Sequence, residues 1–332
     1  MHHAVHNDIA SKLVSEYKGQ EPFASYIKKY FAANKKHGSR DRKTITALCY
    51  ESFRKAATIF PLEQLVSKQI NSAAFTASHQ IQPLLFIRIR PWQKEKVISK
   101  LNQAQIEYKE MGTDALSFAN TTSLQNVLDL DKEAVIQDIN SQALSFLLSK
   151  VPTSMDHLTT VWDCCAASGG KTILMFDYMD NIQIHVSDIR DSILNNCDKR
   201  LQAASIRPAS IQVIDLTEEF SIKKQFDFVF ADLPCSGSGT WGRTPEQLQY
   251  FTMEQLTKYT LLQAQILQNI QPTIKVGGYL LVATCSVYEN ENEQQIEKLL
   301  STGSFELVEQ QYFVGYEKQA DTLFGALLKK VK

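Results

Sequence analysis

The sequence predicts an α/β protein whose larger, C-terminal part is a doubly wound, mainly parallel β-sheet. From residue 160 onward, apolar strand-like runs alternate with helical segments, which is the order that specifies such a sheet. Several of these runs end in Asp or Cys, at the strand edge where sheets of this kind bind their ligands. A helical segment and a short strand–helix–strand–strand segment come before them.

The composition is that of an ordinary globular protein. The 332 residues are 44% hydrophobic and 21% charged, and they are enough for about two domains. No apolar run approaches the roughly 18 residues of a membrane span, and the N-terminus lacks the apolar centre of a secretion signal. We therefore expect a cytoplasmic protein with no membrane partner.

The cysteines are expected to be free thiols. None of them forms a Cys-x-x-Cys pair, so no metal site is expected, and a cytoplasmic chain gives no reason for disulfides. Structural thiols and reactive nucleophiles are the two remaining interpretations. The six are Cys49, Cys164, Cys165, Cys197, Cys235 and Cys285.

Charge is distributed unevenly along the chain. The first 100 residues contain 17 Lys and Arg against 7 Asp and Glu, whereas the remainder contains 18 against 29. A basic N-terminal part suggests a polyanionic partner, with RNA or DNA first. A solvated helical surface that happens to be basic is the alternative.

Residues 1–75 are predicted to form a helical domain because apolar residues recur at three- and four-residue spacing. The pattern continues through residues 61–70, and the basic turn 35–43 can contact phosphate. The earlier helices are predicted at 8–17, 22–34 and 42–60.

Residues 76–135 are predicted to form a small α/β module. A strand at 83–91 carries alternating Arg88 and Arg90, which either line a nucleic-acid groove or are ordinary edge residues. A helix and two short strands follow at 92–105, 106–111 and 115–120. A long helix over 130–151 then leads into the third predicted domain, residues 136–332.

The third domain contains the predicted sheet. Its seven strands are expected at 159–168, 182–189, 209–217, 226–234, 277–286, 305–314 and 321–331. Their ends carry reactive or polar side chains, which a ligand site explains better than chance: Asp163, Asp188, Asp215, Asp232 and Cys285.

The first turn of this sheet, DCCAASGGKT (163–172), favours S-adenosylmethionine as the cofactor. Its small residues let the backbone pass close to a ligand before a helix N-terminus. The ATP-binding Walker pattern requires a glycine where Cys165 stands, and the dinucleotide pattern Gly-x-Gly-x-x-Gly is missing. In this interpretation Asp188 binds the ribose hydroxyls and Asp215 lies near the adenine.

Two thiols on neighbouring strand ends indicate the reaction. Carbon 5 of cytosine is a weak nucleophile, and a thiolate that adds to carbon 6 converts it into an enamine that can take a methyl group. Cys235 and Cys285 are the candidate thiols, and the carboxyl of Asp232 can stabilise the adduct near ring nitrogen 3. The alternative is that both cysteines are small buried apolar residues.

Three motifs, DCCAASGGKT, DLPCSGSGTWGRTPE and ATCSVYENENE, resemble those of the RsmB-like (Sun/Fmu, NOP/Sun) family of RNA 5-methylcytosine methyltransferases. Residues 39–54 and 130–142 resemble the family's N-terminal helices and linker, and 321–330 resembles its closing strand. The resemblance implies a Rossmann-like class I methyltransferase domain with a seven-stranded, mostly parallel sheet. A NusB-like helical region and a small RRM-like module would precede it, both binding RNA.

The resemblance also implies roles for individual residues. Cys285 would attack carbon 6 and Cys235 would assist release of the methylated RNA. Asp232 would hydrogen-bond the base near nitrogen 3 and contact the cofactor, and Lys171 would also face the active site. DNA cytosine methyltransferases instead use the proline–cysteine thiol as nucleophile, so the second thiol favours RNA. S-adenosylmethionine would be bound by Cys165, Ala166, Ala167, Ser168, Gly169, Gly170, Lys171, Asp188, Asp215 and Asp232.

Two positions differ from the usual family pattern, and several alternatives remain open. Ser168 replaces a proline, and Gly242 replaces a residue that is often basic. Trp241, Tyr250 and Phe251 either stack on an unpaired target cytidine or pack in the core. We predict a monomeric RNA cytosine-5 methyltransferase, with ribosomal RNA as the favoured substrate. Transfer RNA, or a non-catalytic RNA-binding role in ribosome assembly, are the alternatives.

Overall fold

The N-terminal part of the chain is a small helical bundle. The computed structural model describes residues 2–56, 59–220, 222 and 224–332. An apolar cluster with Tyr17, Phe23 and Phe53 at its centre holds the first three helices together, whereas Phe75 of the fourth helix packs in a separate cluster with Trp241. Residues 57 and 58 of the helix predicted at 42–60 lie outside the described residues. The helices are α1 (His2–Glu16), α2 (Phe23–Ala33), α3 (Ser39–Ala56) and α4 (Ser72–Ser78).

The helix predicted over 61–70 is wrong. This segment contains one short 3₁₀ turn, Glu63–Leu65, then an extended residue, Val66, and then a turn closed by the N–H of Ile70 donating to the carbonyl of Ser67 at 3.0 Å. Val66 pairs with Tyr288, and the backbone N–H of Ser67 donates to the carbonyl of Val287 at 2.9 Å. These long-range bonds satisfy the backbone groups that a helix would have paired locally, so the tertiary contact overrides the helical spacing.

The second part is a four-stranded antiparallel sheet with one helix. Its strand order is β2–β3–β1–β4. Apolar side chains of β1 and β3 pack against the helix, with Ile87, Leu116 and Val97 fully buried. The elements are β1 (Leu85–Ile89), α5 (Lys94–Gln103), β2 (Lys109–Glu110), β3 (Ala115–Phe118) and β4 (Ala134–Ile136).

The prediction of one long helix over 130–151 is also wrong. Residues of β4 pair with β1, placing Ala134 opposite Ile89 and Ile136 opposite Ile87. A polar break at Asp138 follows, and its carboxylate caps the next helix by accepting from the N–H of Asn140 at 2.9 Å. Two short helices then lead into the large sheet, α6 (Ile139–Ala143) and α7 (Ser145–Leu148).

The C-terminal part is a three-layer α/β sandwich, which confirms the predicted fold class. Its seven-stranded sheet has the order β10–β11–β9–β8–β5–β6–β7, and β11 alone runs against the others. The strands are β5 (Thr159–Asp163), β6 (Ile182–Asp188), β7 (Ser210–Val213), β8 (Phe226–Asp232), β9 (Ile274–Thr284), β10 (Phe305–Phe313) and β11 (Leu323–Lys330).

Helices cover both faces of this sheet. Alternate residues of β8 point to opposite layers: Phe228 and Phe230 enter one apolar cluster, and Val229 and Ala231 enter the other. The helices are α8 (Gly170–Tyr178), α9 (Asp191–Ala203), α10 (Gln247–Tyr250), α11 (Met253–Ile270) and α12 (Glu293–Ser301). In the described part of the chain, every helix is too short or too polar to cross a membrane.

Arg88 and Arg90 join the small sheet to helix α8, and β1 is a central strand, so both interpretations of these residues, as groove residues and as ordinary edge residues, are wrong. Arg88 is 1% exposed, and its Nη1 donates to Asp177 Oδ2 on α8 at 2.6 Å. Arg90 donates to the same carboxylate, at 2.8 Å from Nη2, and to the carbonyl of Ala204. Because two buried guanidinium groups share one carboxylate, the contact fixes the orientation of β1 on α8.

Candidate active site

The turn between β5 and α8 forms one wall of a cleft at the carboxyl edge of the sheet. Ala167 and Gly169 adopt left-handed backbone conformations, with φ of 47° and 82°. A Cβ added at Gly169 would lie 2.7 Å from Cys197 Sγ, so glycine is required there for two reasons. The N–H of Ala167 donates to Asp188 Oδ2 at 2.9 Å, tying the turn to the end of β6.

Asp232 and Lys171 form an ion pair on the cleft wall. Lys171 projects from the first turn of α8, and its Nζ lies 2.5 Å from Oδ2 of Asp232 at the end of β8. Burial of the ammonium group by itself would lower the pKa of Lys171. The neighbouring Asp232 carboxylate has the larger effect, so the pKa of Lys171 is raised. Lys171 therefore stays charged and keeps Asp232 oriented into the cleft.

Cys235 and Cys285 come together at this same edge. Strands β8 and β9 are parallel neighbours, with Asp232 opposite Ala283, so the turns that follow them lie side by side. The two sulfur atoms are 3.4 Å apart and can share a hydrogen bond. That hydrogen bond, together with burial, raises the pKa of Cys235 well above its usual value.

Further contacts hold the two thiol-bearing turns. Gln263 of α11 donates from Nε2 to the carbonyl of Pro234 at 3.0 Å. The N–H of Gly239 donates to the carbonyl of Cys285 at 2.9 Å. In each turn, therefore, a backbone carbonyl at a cysteine or next to one accepts a hydrogen bond that holds the turn in place.

The cleft has a volume of about 490 Å³, within the range of roughly 300 to 1,000 Å³ typical of small-molecule sites. The structure brings most of the predicted site residues to its wall: Cys165, Ala167, Lys171, Asp188, Asp215, Asp232, Cys235 and Cys285. Four other predicted site residues do not line the cleft: Ala166, Ser168, Gly169 and Gly170.

The acidic side chains at the ends of β6 and β7 are already held by local hydrogen bonds. Arg190 donates to Asp188 Oδ1 from its backbone N–H and from Nε, both at 3.0 Å. Burial favours the neutral acid, but these bonds prevail and lower the pKa of Asp188. Asp215 Oδ1 accepts from the N–H of Thr217 at 2.9 Å. Both carboxylates therefore have a fixed orientation at the mouth of the cleft.

The family model described as 16S rRNA methyltransferase RsmB/F matches residues 152–324, more than half of the chain. The chain belongs to this family. This finding confirms the family resemblance that the three motifs indicated.

The RsmB/F relatives are similar in part of their length. The chain is 28% identical over 230 residues to ribosomal RNA small subunit methyltransferase B of Yersinia enterocolitica, covering 67% of this chain and 52% of the relative. The counterpart from Xylella fastidiosa is 28% identical over 240 residues, or 70% and 55%. The chain thus spans about half the length of the curated relatives it matches.

Solved structures share the fold. A methyltransferase homolog protein from Pyrococcus horikoshii has a TM-score of 0.66 at 19% identity, covering 81% of this chain and 93% of that one. NSun6 from the same organism, solved with SFG, has a TM-score of 0.69 at 14% identity, covering 84% and 98%. These similarities support the Rossmann-like architecture of this RsmB/F member.

The two departures from the family pattern have local explanations in this RsmB/F chain. Arg200 donates from Nη1 to both the carbonyl and the hydroxyl of Ser168 at 3.0 Å, which holds the turn without a proline. Gly242 lies against Pro83, where a Cβ would be 2.9 Å from the proline ring, and its carbonyl accepts from Arg54 at 2.6 Å. Position 242 therefore packs against the N-terminal part of the chain.

The aromatic residues near the reactive turn belong to the core. Trp241 is 1% exposed and packs on Phe251 with ring centroids 4.9 Å apart. Tyr250 packs edge-on against Tyr17 at 5.2 Å, and its hydroxyl donates to the carbonyl of that residue. Base stacking by Trp241 and Phe251, one of the two interpretations of the sequence, is therefore wrong.

Sequence reasoning missed several residues of the cleft. Ile189, Leu216 and Leu262 supply its apolar lining, and Tyr259 reaches it from α11. Apolar residues carry no chemical signal in a sequence, so only their positions beside strand ends could have identified them. Glu291, buried next to both thiol turns, was also missed, although it stands in the motif ATCSVYENENE.

Proposed function

We propose that this chain methylates carbon 5 of a cytidine in RNA through a covalent adduct with Cys285, using S-adenosylmethionine. The observation that carries the proposal is the pair of thiols 3.4 Å apart, in the same cleft as the Lys171–Asp232 ion pair. A site for simple binding does not require two thiols and an oriented carboxylate at one point. Covalent catalysis at carbon 6 of a pyrimidine uses all of them.

The residues of the cleft fit S-adenosylmethionine. The apolar side chains of Ile189, Leu216 and Leu262 suit an adenine ring, and Asp188 and Asp215 suit polar groups of the nucleoside. When bound, the cofactor supplies an electrophilic methyl group that carbon 5 of the base can take. The relative solved with SFG, an analogue of S-adenosylmethionine, supports this assignment.

Cys285 is assigned as the nucleophile. Cys235 Sγ lies 3.4 Å from Cys285 Sγ, close enough to donate a hydrogen bond to it when Cys285 attacks as a thiolate. The thiolate forms an S–C6 bond, and the C5–C6 π electrons shift to the C4–C5 bond while electron density moves to nitrogen 3. The resulting enamine makes carbon 5 nucleophilic. After methylation this carbon carries both the methyl group and its original hydrogen.

Asp232 and Lys171 stabilise the adduct. Nucleophilic addition at carbon 6 places electron density on the ring around nitrogen 3, and a proton passed from the Lys171 ammonium through the Asp232 carboxylate can neutralise it. The 2.5 Å contact with Lys171 Nζ fixes Asp232 so that it does not have to reorient during the reaction.

Cys235 is assigned to release of the product. The hydrogen bond to Cys285 is the largest cause of the raised pKa of Cys235, and this bond is lost once Cys285 Sγ is bonded to carbon 6. Cys235 can then lose its proton to solvent and accept the proton at carbon 5. The C–H electrons re-form the C5–C6 double bond, the S–C6 bond breaks, and Cys285 leaves as a thiolate. One proton per turnover is released overall.

A basic groove is assigned to the RNA backbone. It has a volume of about 1,130 Å³ and lies between α2, α3 and the loop after β3. Its wall includes Lys28, Arg42 and Lys43, and the basic turn predicted to contact phosphate supplies the last two. Arg243 also lines it, and its guanidinium is paired with Asp138 and Asp321. A positive groove of this kind suits a single-stranded polyanion.

Ribosomal RNA is the favoured substrate because the matched relatives carry that name, and transfer RNA is the second candidate. Radiolabelled methyl transfer to separated ribosomal and transfer RNAs, followed by identification of the labelled nucleoside, tests the proposal. We expect label in 5-methylcytidine, and Cys285→Ala should abolish it. Label in adenosine or in protein would refute the assignment.

A further inference from the structure

Glu291 has a buried carboxylate that accepts hydrogen bonds from both thiol-bearing turns. It is 1% exposed and lies on the segment between β9 and α12. Oε1 accepts from the N–H of Ser236 at 2.6 Å, and Oε2 accepts from the hydroxyls of Ser236 and Ser286, both at 2.5 Å. Burial raises the pKa of Glu291, and the hydrogen bonds from the two serines act against that rise because they stabilise the ionised carboxylate.

The residues that donate to Glu291 stand next to the thiols. Ser236 follows Cys235 and Ser286 follows Cys285, so one carboxylate connects the positions adjacent to both sulfur atoms. The two turns otherwise belong to different strands, and the hydroxyls of Ser236 and Ser286 are 3.4 Å apart. Because a buried charge is costly without its donors, separating the turns would leave Glu291 uncompensated.

We propose that Glu291 is a positioning residue that sets the relative placement of Cys235 and Cys285, so that both thiols can reach the same cytosine. The inference rests on the proposed function for its catalytic consequence. The geometric part concerns the thiols alone and can be measured without RNA.

The next residue reinforces one side of this arrangement. Asn292 accepts from the Thr284 hydroxyl at 2.5 Å and donates to the Ser286 carbonyl at 2.9 Å, so it holds the chain on both sides of Cys285. Asn292 does not bond Ser236 in this way. Other bonds also join the two turns, from the Gly239 N–H to the Cys285 carbonyl and from the Val287 N–H to the Ser238 hydroxyl, both at 2.9 Å. Glu291 differs from these contacts because its one carboxylate accepts from both residues that directly follow the thiols.

Glu293 provides a matched control. It lies two residues away on the same segment, and its carboxylate accepts from the Ser67 hydroxyl at 2.5 Å and the Tyr312 hydroxyl at 2.9 Å. Glu293→Gln therefore removes one charge from a hydroxyl-bonded carboxylate without touching the thiol turns. Glu291→Gln places an amide N–H₂ or a single oxygen where two hydroxyls now donate, which forces part of the network to reverse.

The first measurement is the rate at which the azo oxidant diamide joins Cys235 to Cys285, followed by mass spectrometry of the linked peptides. Each disulfide transfers two electrons and two protons from the thiols to the N=N bond of the oxidant. We expect Glu291→Gln to form the Cys235–Cys285 disulfide roughly ten times more slowly than wild type, because small misplacements of reacting groups have large effects on rate. Glu293→Gln should match wild type.

The second measurement is methyl transfer by the same variants. We expect kcat of Glu291→Gln to fall roughly tenfold or more while KM for S-adenosylmethionine changes by less than about twofold, because Glu291 lies off the cofactor wall. If Glu291→Gln does not fold, Ser286→Ala removes one of its bonds and should show the same pattern more weakly. Equal disulfide rates in wild type, Glu291→Gln and Glu293→Gln would overturn the inference. If wild type shows no methyl transfer but Glu291→Gln still forms the disulfide more slowly, the proposed function is overturned and the positioning role of Glu291 is retained.

Discussion

Replacing Asp163 by Asn should make the stability of the protein less dependent on pH. Asp163 ends β5, is 1% exposed, and accepts one hydrogen bond from the Thr172 hydroxyl at 2.6 Å. Its second oxygen is buried without a partner among the described residues. Burial therefore raises the pKa of Asp163 to about 7, from 3.8 for the free side chain. Asn keeps an oxygen for Thr172 and carries no charge at any pH.

The size of the effect follows from this shift. Because the folded pKa of Asp163 lies above the unfolded one, the folded state binds the proton more tightly. The stability that the protonated form provides is complete below about pH 4 and is lost as pH rises through about 7. A shift of about three units corresponds to about 4 kcal/mol in full, of which about 2 to 3 kcal/mol falls between about pH 5 and about pH 8.

Urea unfolding of wild type and Asp163→Asn across that pH range measures this difference directly. The advantage of Asp163→Asn over wild type should grow by about 2 to 3 kcal/mol from about pH 5 to about pH 8. Asp191→Asn, an exposed change at the start of α9, controls for the altered net charge and should show no such trend. A constant difference between Asp163→Asn and wild type at all pH values would refute the reasoning, since Asp163 would then be ionised throughout.

Three further predictions concern the thiol turn and the groove. Cys235→Ala should accumulate a protein–RNA adduct that survives denaturing electrophoresis, because release and not attack is impaired; normal turnover without an adduct would contradict this. Gly239→Ala should destabilise the protein by about 1 to 3 kcal/mol in thermal unfolding, since its Cβ would lie 2.0 Å from the carbonyl oxygen of Thr322. Lys28→Gln and Lys43→Gln should each weaken RNA binding and reduce the slope of log affinity against log salt by about 0.7, as measured by fluorescence anisotropy. An unchanged slope would place the RNA elsewhere.

The sheet was predictable because its strands are long apolar runs separated by clear breaks. The runs at 182–189 and 226–234 contain the observed β6 and β8 almost unchanged. Strand order and the reversed direction of β11 are not written in any single run and were not predicted, because the family resemblance implied only a seven-stranded, mostly parallel sheet. The predicted division at residues 75 and 135 stays a prediction.

The errors fall where pairing is long-range. Residues 130–151 and 61–70 both have helical spacing, yet each contains a segment that pairs with a distant strand or loop. The pairing partners of Val66 and Ala134, Tyr288 and Ile89, are far away in sequence, so periodicity within a window cannot reveal them. Short β4 is also below the length at which alternation becomes visible.

The site was predictable in its reactive residues and not in their support. Cys235, Cys285 and Asp232 carry chemistry that is visible in a sequence, and their placement at the ends of neighbouring strands indicated one site. The roles assigned to them stay predictions until methyl transfer and adduct formation are measured. Apolar cleft residues such as Leu216 carry no such signal.

Glu291 shows why two separate motifs must be considered together. On its own the motif ATCSVYENENE offers several acidic residues with no means of choosing among them, and DLPCSGSGTWGRTPE offers several small residues with no evident purpose. Once β8 and β9 lie side by side, Ser236 and Ser286 are the residues that can both face one carboxylate, and Glu291 is the acid that reaches them. The thiols therefore need not be placed independently, because the hydroxyl next to each one is bonded to the same buried acid. A substitution that leaves both cysteines in place but removes the hydrogen bonds of Glu291 should affect adduct formation and product release unequally. The reason is that one bound cytosine would no longer lie within reach of both sulfur atoms.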